Sequence, residues 1–312
     1  MGAEIVLGTA VKARALLAAA GLFNAAALAE PHYVVVAGLG GQPAYEERFN
    51  EQADSLAAAA RRTAGDDARV KVLRGEEATR EAVRDAFDEF ARSMSETDTL
   101  IVFLVGHGSF DGEEYKFNLP GPDATGKELA EMLAGIPARS QLIVNATSAS
   151  GAVLENWSAD GRTLVTATRS GAERNATRFA EHWAAALSSE DADLDKNGSI
   201  SAQEAFDYAA RSVADSYESE GTLATEHPQI AGDGAPRFTV ARLTDRPTQT
   251  PELERLSARM AAIEGDLEAL RLRREEMESD AYLNELQALL LQLATVQQDI
   301  DRAEAALASP EE

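Results

Sequence analysis

Two apolar runs of the sequence each end in side chains that could carry out nucleophilic chemistry. The first, LIVFLVGHGSFDG (100–112), places His107 between two glycines, and the second, LIVNATSASG (142–151), ends in small hydroxyl residues. A histidine that takes the proton of a hydroxyl is the base–nucleophile pair of many hydrolases. The chain contains no cysteine, which excludes a thiol nucleophile, a disulfide and a thiolate metal site. The residues present predict His107 as the base, with Ser148 or alternatively Thr147 as the nucleophile.

Both loops follow predicted strands in a chain where strands and helices alternate. Six β-rich runs occur, at 32–39, 69–74, 100–105, 141–147, 162–168 and 237–243. Segments with helical periodicity lie among them, at 45–64, 79–94, 125–136, 176–189 and 201–220. This order predicts an α/β fold with a mostly parallel six-stranded sheet and helices on both faces. Because functional groups in such sheets collect beyond the carboxyl ends of the strands, we expect the two loops to meet there.

Net charge and the first residues limit the partners and the location of the protein. The formal charge is −24, so a basic face for nucleic acid is not expected. Lys12 and Arg14 precede an apolar stretch, 15–29, that ends in Ala-Leu-Ala. This order predicts a signal peptide over 1–29 and a periplasmic or secreted protein, with an alanine-rich helix of the fold as the alternative. No segment is long and apolar enough to predict a membrane span in the mature chain.

The segment DLDKNGSISAQE (193–204) has the spacing of a calcium-binding EF-hand loop. Oxygen ligands fall at positions 1, 3, 5 and 12, and Gly198 occupies the sixth position, where the loop turns sharply. Ser199 would add its backbone carbonyl. The predicted metal ligands are Asp193, Asp195, Asn197, Ser199 and Glu204. A single loop of this kind more often stabilises a helix junction than acts as a calcium switch, so we expect a structural calcium ion; an acidic loop without an ion is the alternative.

The C-terminal part predicts a separate helical element. The α/β domain, 30–245, is followed by a linker over 246–252, and apolar residues then recur every three or four positions through 253–308. The rhythm slips around 277–285, which indicates either a turn between two antiparallel helices or an irregularity in one rod. We interpret 253–308 as a helical hairpin or coiled coil that packs on itself, on a second copy or on a partner helix.

The order of these parts resembles the bacterial caspase-like peptidases and, more loosely, the legumain-type peptidases. The resemblance covers roughly 33–243 and depends on Gly106-His107-Gly108, on the small-residue loop ending in Ser150-Gly151, on VTATRSGAERN (165–175) and on the acidic loop. In that family the nucleophile lies in an Asp-Ala-Cys-His-Ser-Gly motif. When the last two residues of this motif are aligned with Ser150-Gly151, Ser148 takes the position of the cysteine. An alignment shifted by one residue places Thr147 at that position instead. The resemblance implies a caspase–hemoglobinase sheet, oxyanion stabilisation by backbone N–H groups near Gly108, and a substrate pocket near Arg169, Glu173 and Arg174.

Replacement of the cysteine leads to two hypotheses of different classes. A serine hydroxyl ionises far less readily than a thiol and depends on a closely placed base. The first hypothesis is a peptidase homologue without its thiol, which binds a peptide or protein segment in the cleft and is stabilised by calcium. The second is a serine-dependent endopeptidase that uses a Ser148–His107 dyad.

Overall fold

The computed structural model describes residues 29–244, 250–274 and 277–308. The predicted signal peptide lies outside the described residues except for Ala29, so its cleavage and the export of the protein stay predictions. Residues 245–249, which include part of the predicted linker, also lie outside them.

The described α/β domain is built on a six-stranded sheet. Its strands, in chain order, are β1 (Pro31–Ala37), β2 (Val70–Leu73), β3 (Thr99–Val105), β7 (Ser140–Asn145), β8 (Arg162–Thr166) and β10 (Gln229–Ala231). The strand order is β10-β8-β7-β3-β1-β2. The first five strands run parallel, and β10 pairs antiparallel with β8 at the edge. The predicted fold class, a mostly parallel six-stranded sheet with helices and a C-terminal helical element, is confirmed.

Helices cover both faces of this sheet because successive strand residues point to opposite sides. On one face Tyr33, Val35 and Phe103 pack against α1 (Pro43–Ala64), α5 (Phe179–Ala186) and α6 (Ala202–Glu220). On the other face Val34, Val36 and Leu104 pack against α2 (Arg80–Ser93), α3 (Gly126–Ala134) and α4 (Leu154–Trp157). Burial on both faces explains why the strands read as continuous apolar runs rather than as alternating ones.

The helices begin where the sequence carries side-chain caps. The hydroxyl of Thr79 accepts a hydrogen bond from the N–H of Ala82 at the start of α2. Thr125 and Glu128 form a capping box at the start of α3, and Ser201 and Glu204 form another at the start of α6. Each box satisfies backbone N–H groups that a helix start leaves without partners.

Two small sheets complete the domain. One contains β4 (Gly108–Phe110), β5 (Tyr115–Phe117) and β6 (Ala124–Thr125), in the order β4-β5-β6. The other pairs β9 (Ser199–Ser201) with β11 (Thr239–Arg242). The apolar run 237–243 therefore supplies β11 and not a strand of the central sheet. The sixth central strand is β10, a three-residue strand that no apolar run marks.

The C-terminal residues form two helices, α7 (Pro251–Leu272) and α8 (Ser279–Ala308). They pack on each other through Leu253, Ile263, Val296 and Ile300, which agrees with a hairpin rather than one rod. Leu283, Leu290 and Leu291 of α8 are exposed, so contact with a second copy or a partner helix stays a prediction. Within the described ranges, we find no helix with the length and apolar content to cross a membrane.

Candidate functional site

His107 and Ser148 are delivered to one edge of the sheet by neighbouring parallel strands. The register of β3 and β7 pairs Thr99 with Ser140 and runs on to Leu104 and Asn145, so the loops that follow emerge side by side. Their contact is close. A methyl group placed on Gly108 would lie against the carbonyl oxygen of Ser148 and 2.7 Å from Oγ1 of Thr147. The loop that carries the imidazole therefore touches the loop that carries the hydroxyls.

The hydroxyl of Ser148 makes no hydrogen bond in the described structure. The residue is 2% exposed, and its Oγ is buried without a partner. A general base must lie within about 3 Å of the hydroxyl whose proton it takes. No hydrogen bond joins the imidazole of His107 to the hydroxyl of Ser148 among the described residues, and a catalytic role of this pair stays a prediction.

Two aromatic rings of α1 hold the imidazole of His107. Tyr45 and Phe49 meet it edge-on, with ring centroids 4.8 and 5.0 Å away. Burial lowers the pKa of His107, the nearby charge of Arg48 lowers it further, and a hydrogen bond with the backbone of Gly40 offsets part of this effect. Because the net pKa lies below 6.5, the imidazole is mainly neutral at pH 7.

The acidic residues that follow His107 in the sequence do not orient it. The carboxylate of Asp111 accepts hydrogen bonds from the N–H groups of Glu113 and Glu114, at 3.0 and 2.9 Å. These two bonds, the stronger from Glu114, lower the pKa of Asp111, which is fully exposed. Asp111 thus caps its own turn, and the acid of a Ser-His-Asp arrangement is not supplied from this loop.

Thr147 belongs to a buried hydrogen-bond network, and its role as the alternative nucleophile stays a prediction. It is 0% exposed, its Oγ1 donates to Asn145 Oδ1 at 2.7 Å, and it lies 2.6 Å from the hydroxyl of Tyr115. The N–H of Thr147 also bonds Asn145 Oδ1, at 3.3 Å. These bonds lock the start of the loop to β5 and leave the hydroxyl of Thr147 fully engaged.

Replacing Tyr115 with Phe is expected to weaken this hydrogen-bond network and to change how the free energy of unfolding depends on pH in the alkaline range. At neutral pH the lost hydrogen bond should cost about 1 kcal/mol of unfolding free energy. Burial raises the pKa of Tyr115 to about 12, from 10.0 for an ordinary tyrosine. Between these values the unfolded chain releases a proton that the folded chain keeps, so stability falls as pH rises, by about 1.4 kcal/mol per pH unit.

Urea unfolding of both proteins from pH 9 to pH 11.5 measures this effect. The Tyr115→Phe variant should lose part of the decline seen in the wild type above pH 10. Identical slopes for the two proteins would show that Tyr115 does not keep its proton in the folded state.

The backbone around Ser148 is unusual. Ala149 has a left-handed φ of 55°, which costs a residue with a side chain about 1–2 kcal/mol, and its N–H donates to the carbonyl of Glu173 at 2.7 Å. The N–H of Asn118 donates to the carbonyl of His107, so the paired residues Gly108 and Phe117 exchange no hydrogen bond. The N–H of Gly108 therefore lies on the free edge of β4, as a donor to an oxyanion or a peptide would require.

The end of the loop is tied to the residues that follow β8. The N–H of Gly151 donates to Oγ1 of Thr168 at 2.8 Å, and the N–H of Thr168 donates to Oγ of Ser150 at 3.2 Å. A methyl group on Gly151 would overlap Ser170 N and Arg169 C and would lie 2.5 Å from Thr168 O. This close approach allows only glycine at position 151.

The three residues predicted to line a substrate pocket differ in their surroundings. Glu173 forms an ion pair with Nε of Arg169 at 3.0 Å and a hydrogen bond with Nδ1 of His227 at 2.6 Å. The carboxylate of Glu173 also accepts hydrogen bonds from the backbone N–H groups of Arg169 and His227, so it stabilises the local structure. Arg174 is exposed. A substrate role for Arg169, Glu173 and Arg174 stays a prediction.

The acidic loop 193–204 brings its predicted ligands together. Carboxylate oxygens of Asp193, Asp195 and Glu204 lie within 4.8 Å of one another. Gly198 has a φ of +77° at the sixth position, and Lys196 turns its ammonium group out to the carbonyl of Glu190. Burial acts to raise the pKa of Glu204, but hydrogen bonds from Ser201, Leu194 and Asp195 outweigh it and lower the net value. The donor set consists of oxygen atoms and includes three carboxylates, and it fits calcium.

The strand within this loop pairs with β11 and not with a second calcium loop. Ile200, at the apolar eighth position, lies opposite Ala241, and the N–H of Leu243 donates to the carbonyl of Gly198 at 3.0 Å. Tyr33 of β1 in turn donates to the carbonyl of Val240 at 2.9 Å. The loop therefore joins α6, β11 and the central sheet.

Several residues at the site were not found by sequence reasoning. Tyr115 and Asn145 lie in a strand and at a strand end, where nothing in the pattern separates them from core positions. Arg48 and Gln52 did carry a signal. They follow the helical spacing of the buried residues Phe49 and Leu56 of α1, so two polar side chains interrupt an apolar stripe.

Comparison with the solved structures gives distant likenesses, among them the following two. A protein of Geobacter sulfurreducens is 15% identical with a TM-score of 0.44, and the match covers 70% of this chain and 99% of that one. The Drosophila initiator caspase Dronc is 8% identical with a TM-score of 0.39, and the match covers 66% of this chain and 80% of that one. No protein-family model and no curated protein matches the sequence.

Proposed function

We propose that the α/β domain binds a peptide or protein segment at the edge of the sheet near His107 and Ser148, and that it does not cleave the bound chain. The buried hydroxyl of Ser148, which has no hydrogen-bond partner among the residues that the structure describes, carries this proposal. A serine acts as a nucleophile only when a base takes its proton in the transition state. The imidazole of His107 is instead held by Tyr45 and Phe49.

Two features support binding of an extended segment at this edge. The free edge of β4 offers the N–H of Gly108, and an added strand gains affinity from such main-chain groups. Leu39, in the loop after β1, is 43% exposed and is anchored by its N–H to the carbonyl of Asn118. An exposed apolar side chain beside Asn118, whose own N–H bonds the carbonyl of His107, suits a peptide better than a small polar metabolite.

Serine-dependent peptide hydrolysis is the second candidate function, because three observations favour it. The loops of His107 and Ser148 touch, the lowered pKa of His107 gives a neutral base at pH 7, and the left-handed Ala149 forms a strained turn directly after Ser148. A rotation that brought the hydroxyl to the imidazole would complete the dyad.

A fluorophosphonate probe separates the two functions. We expect no labelling of Ser148, and equal background turnover of a fluorogenic peptide mixture by the wild type and by Ser148→Ala. A working hydroxyl nucleophile would instead be labelled, and its removal would lower kcat by about 10⁴–10⁶-fold. Labelling that is absent from Ser148→Ala would establish the enzyme and overturn the binding function.

We infer that a calcium ion in the loop 193–204 stabilises the domain. The support is the cluster of Asp193, Asp195 and Glu204 oxygens, together with the connection of this loop to β11. Asn197 and the carbonyl of Ser199 complete the proposed ligand set. The ion would supply positive charge that offsets the mutual repulsion of the carboxylates, and it would have no part in chemistry at His107.

A further inference from the structure

The guanidinium of Arg48, on the second turn of α1, lacks partners for two of its nitrogens. It stacks over the rings of Tyr45 and Phe49, with its central carbon 4.8 and 5.4 Å from the ring centroids. Its Nε and Nη2 are buried and form no hydrogen bond with any residue that the structure describes. A buried charged donor without a partner costs more free energy than a satisfied one, so a ligand that bonds both nitrogens would gain affinity.

These two nitrogens define the ligand chemistry. Nε and Nη2 lie on the same side of the guanidinium and form the fork that a carboxylate binds with two parallel hydrogen bonds. Stacking on aromatic rings lets the flat group turn in its own plane. Neither nitrogen forms a hydrogen bond with a described residue. A rotation that directs the fork into the neighbouring groove therefore breaks no hydrogen bond of these two nitrogens.

That groove lies between α1 and α5 and has a volume of about 460 Å³. Its lining includes Arg48, Glu51, Gln52, Ser55, Glu181 and Ser188. Gln52 is 6% exposed, and its Oε1 also lacks a hydrogen-bond donor. Because Gln52 follows Arg48 by one helical turn, a free acceptor lies next to the free donor fork. Glu51 and Glu181 are exposed and add negative charge at the rim.

We propose that this groove binds the carboxyl terminus of a peptide. The terminal carboxylate bonds Nε and Nη2 of Arg48, and a backbone N–H of the same peptide donates to Oε1 of Gln52. The negative rim favours a lysine or arginine before the terminal residues. This site is separate from the hydroxyl of Ser148, and the proposal holds whether or not Ser148 reacts.

Occupancy of the groove should be visible at His107. The charge of Arg48 lowers the pKa of His107, and both side chains contact Tyr45 and Phe49. A carboxylate on Arg48 compensates this charge, so the pKa of His107 should rise on binding.

The test uses full-length Ser148→Ala protein and acetyl-Lys-Ala-Ala with a free carboxyl terminus, compared with the same peptide as its C-terminal amide. Calorimetry measures binding, and NMR titration of the His107 imidazole measures the coupling. We expect the free acid to bind at least tenfold more tightly than the amide and to raise the pKa of His107.

Arg48→Gln should abolish both effects, and Arg48→Lys should weaken binding because a lysine lacks the fork. Glu47→Gln, an exposed α1 position outside the groove, is the matched control and should bind normally.

Three results would overturn the proposal. Equal affinity for acid and amide, or no detectable binding of either, would exclude recognition of a carboxyl terminus. Unchanged binding by Arg48→Gln would remove the assigned fork. Acetate that binds as tightly as the peptide would exclude the bond to Gln52. None of these outcomes bears on labelling of Ser148, so the two proposals can fail separately.

Discussion

Calcium at a concentration about a hundredfold above its Kd is expected to raise the midpoint of thermal unfolding by about 5–10 °C. Binding to the folded state alone contributes about 2.7 kcal/mol at that excess. For a domain of this size, 1 kcal/mol corresponds to about 2–4 °C. Scanning calorimetry with EDTA and then with CaCl2 measures the shift.

The physical reason lies in what the loop connects. Asp193 and Glu204 close the loop at its two ends, and Glu204 stands in the first turn of α6. Between them Ile200 pairs with β11, which is tied to β1 through Tyr33. An ion that fixes the loop therefore holds the helix, the small sheet and the central sheet in one cooperative unit, and its effect should appear in global unfolding.

Variants at the loop distinguish this site from general ion effects. Glu204→Gln and Asp193→Asn should remove most of the shift. Glutamine at position 204 can still form the capping box with Ser201, but its single oxygen cannot also accept the bond from Leu194, so the shift is measured against the calcium-free form of each variant. Asp207→Asn is the matched control, since Asp207 is an exposed carboxylate on α6 beyond the end of the loop, and its side chain accepts a hydrogen bond from Gln203. A shift that survives in Glu204→Gln, or an equal shift with magnesium, would contradict the assignment.

Gly151→Ala is expected to destabilise the domain by about 4 kcal/mol or more and to abolish peptide capture at the Ser148 edge. The added methyl group would overlap backbone atoms of Arg169 and Ser170, which cannot move aside as a flexible side chain can. Relief of the overlap requires separation of the loops after β7 and β8, and this breaks the bonds between Gly151, Ser150 and Thr168. Overpacking combined with lost buried hydrogen bonds falls among the most damaging kinds of substitution.

Urea unfolding of Gly151→Ala and Gly265→Ala gives the comparison. Gly265 lies within α7 with nothing within 4 Å of an added methyl group. The same substitution there should stabilise the hairpin by up to about 1 kcal/mol, because alanine is the better helix former. Equal effects at the two positions would show that the loop after β8 moves away easily and that the tight contact does not matter.

The central strands and the helices that cover them could be predicted from the local sequence pattern. Strands buried on both faces must be apolar throughout, and helices on a sheet must present one apolar stripe, so β1, β3 and β7 and the helices between them were visible in the sequence. The edge strand β10 was not visible in this way, although the other edge strand, β2, was. β10 has three residues and is only half-buried or exposed, whereas the apolar run of β11 is buried against α6 and the loop 193–204. An apolar run indicates that a strand is buried, but it does not indicate which strand lies next to it in the sheet.

The same distinction between local pattern and tertiary packing applies to the candidate site. The residue types, their spacing and the absence of cysteine determined that His107 and Ser148 would stand after adjacent strands, that the chain offers no thiol, and that 193–204 places oxygen-bearing side chains around a glycine turn. The tertiary structure alone decided that Thr147 is locked by Tyr115 and Asn145, that Tyr45 and Phe49 hold the imidazole, and that Arg48 keeps an unpaired fork beside a groove. Hydrogen bonds and ring contacts of this kind join residues distant in the chain, and their distances depend on packing that no local pattern encodes.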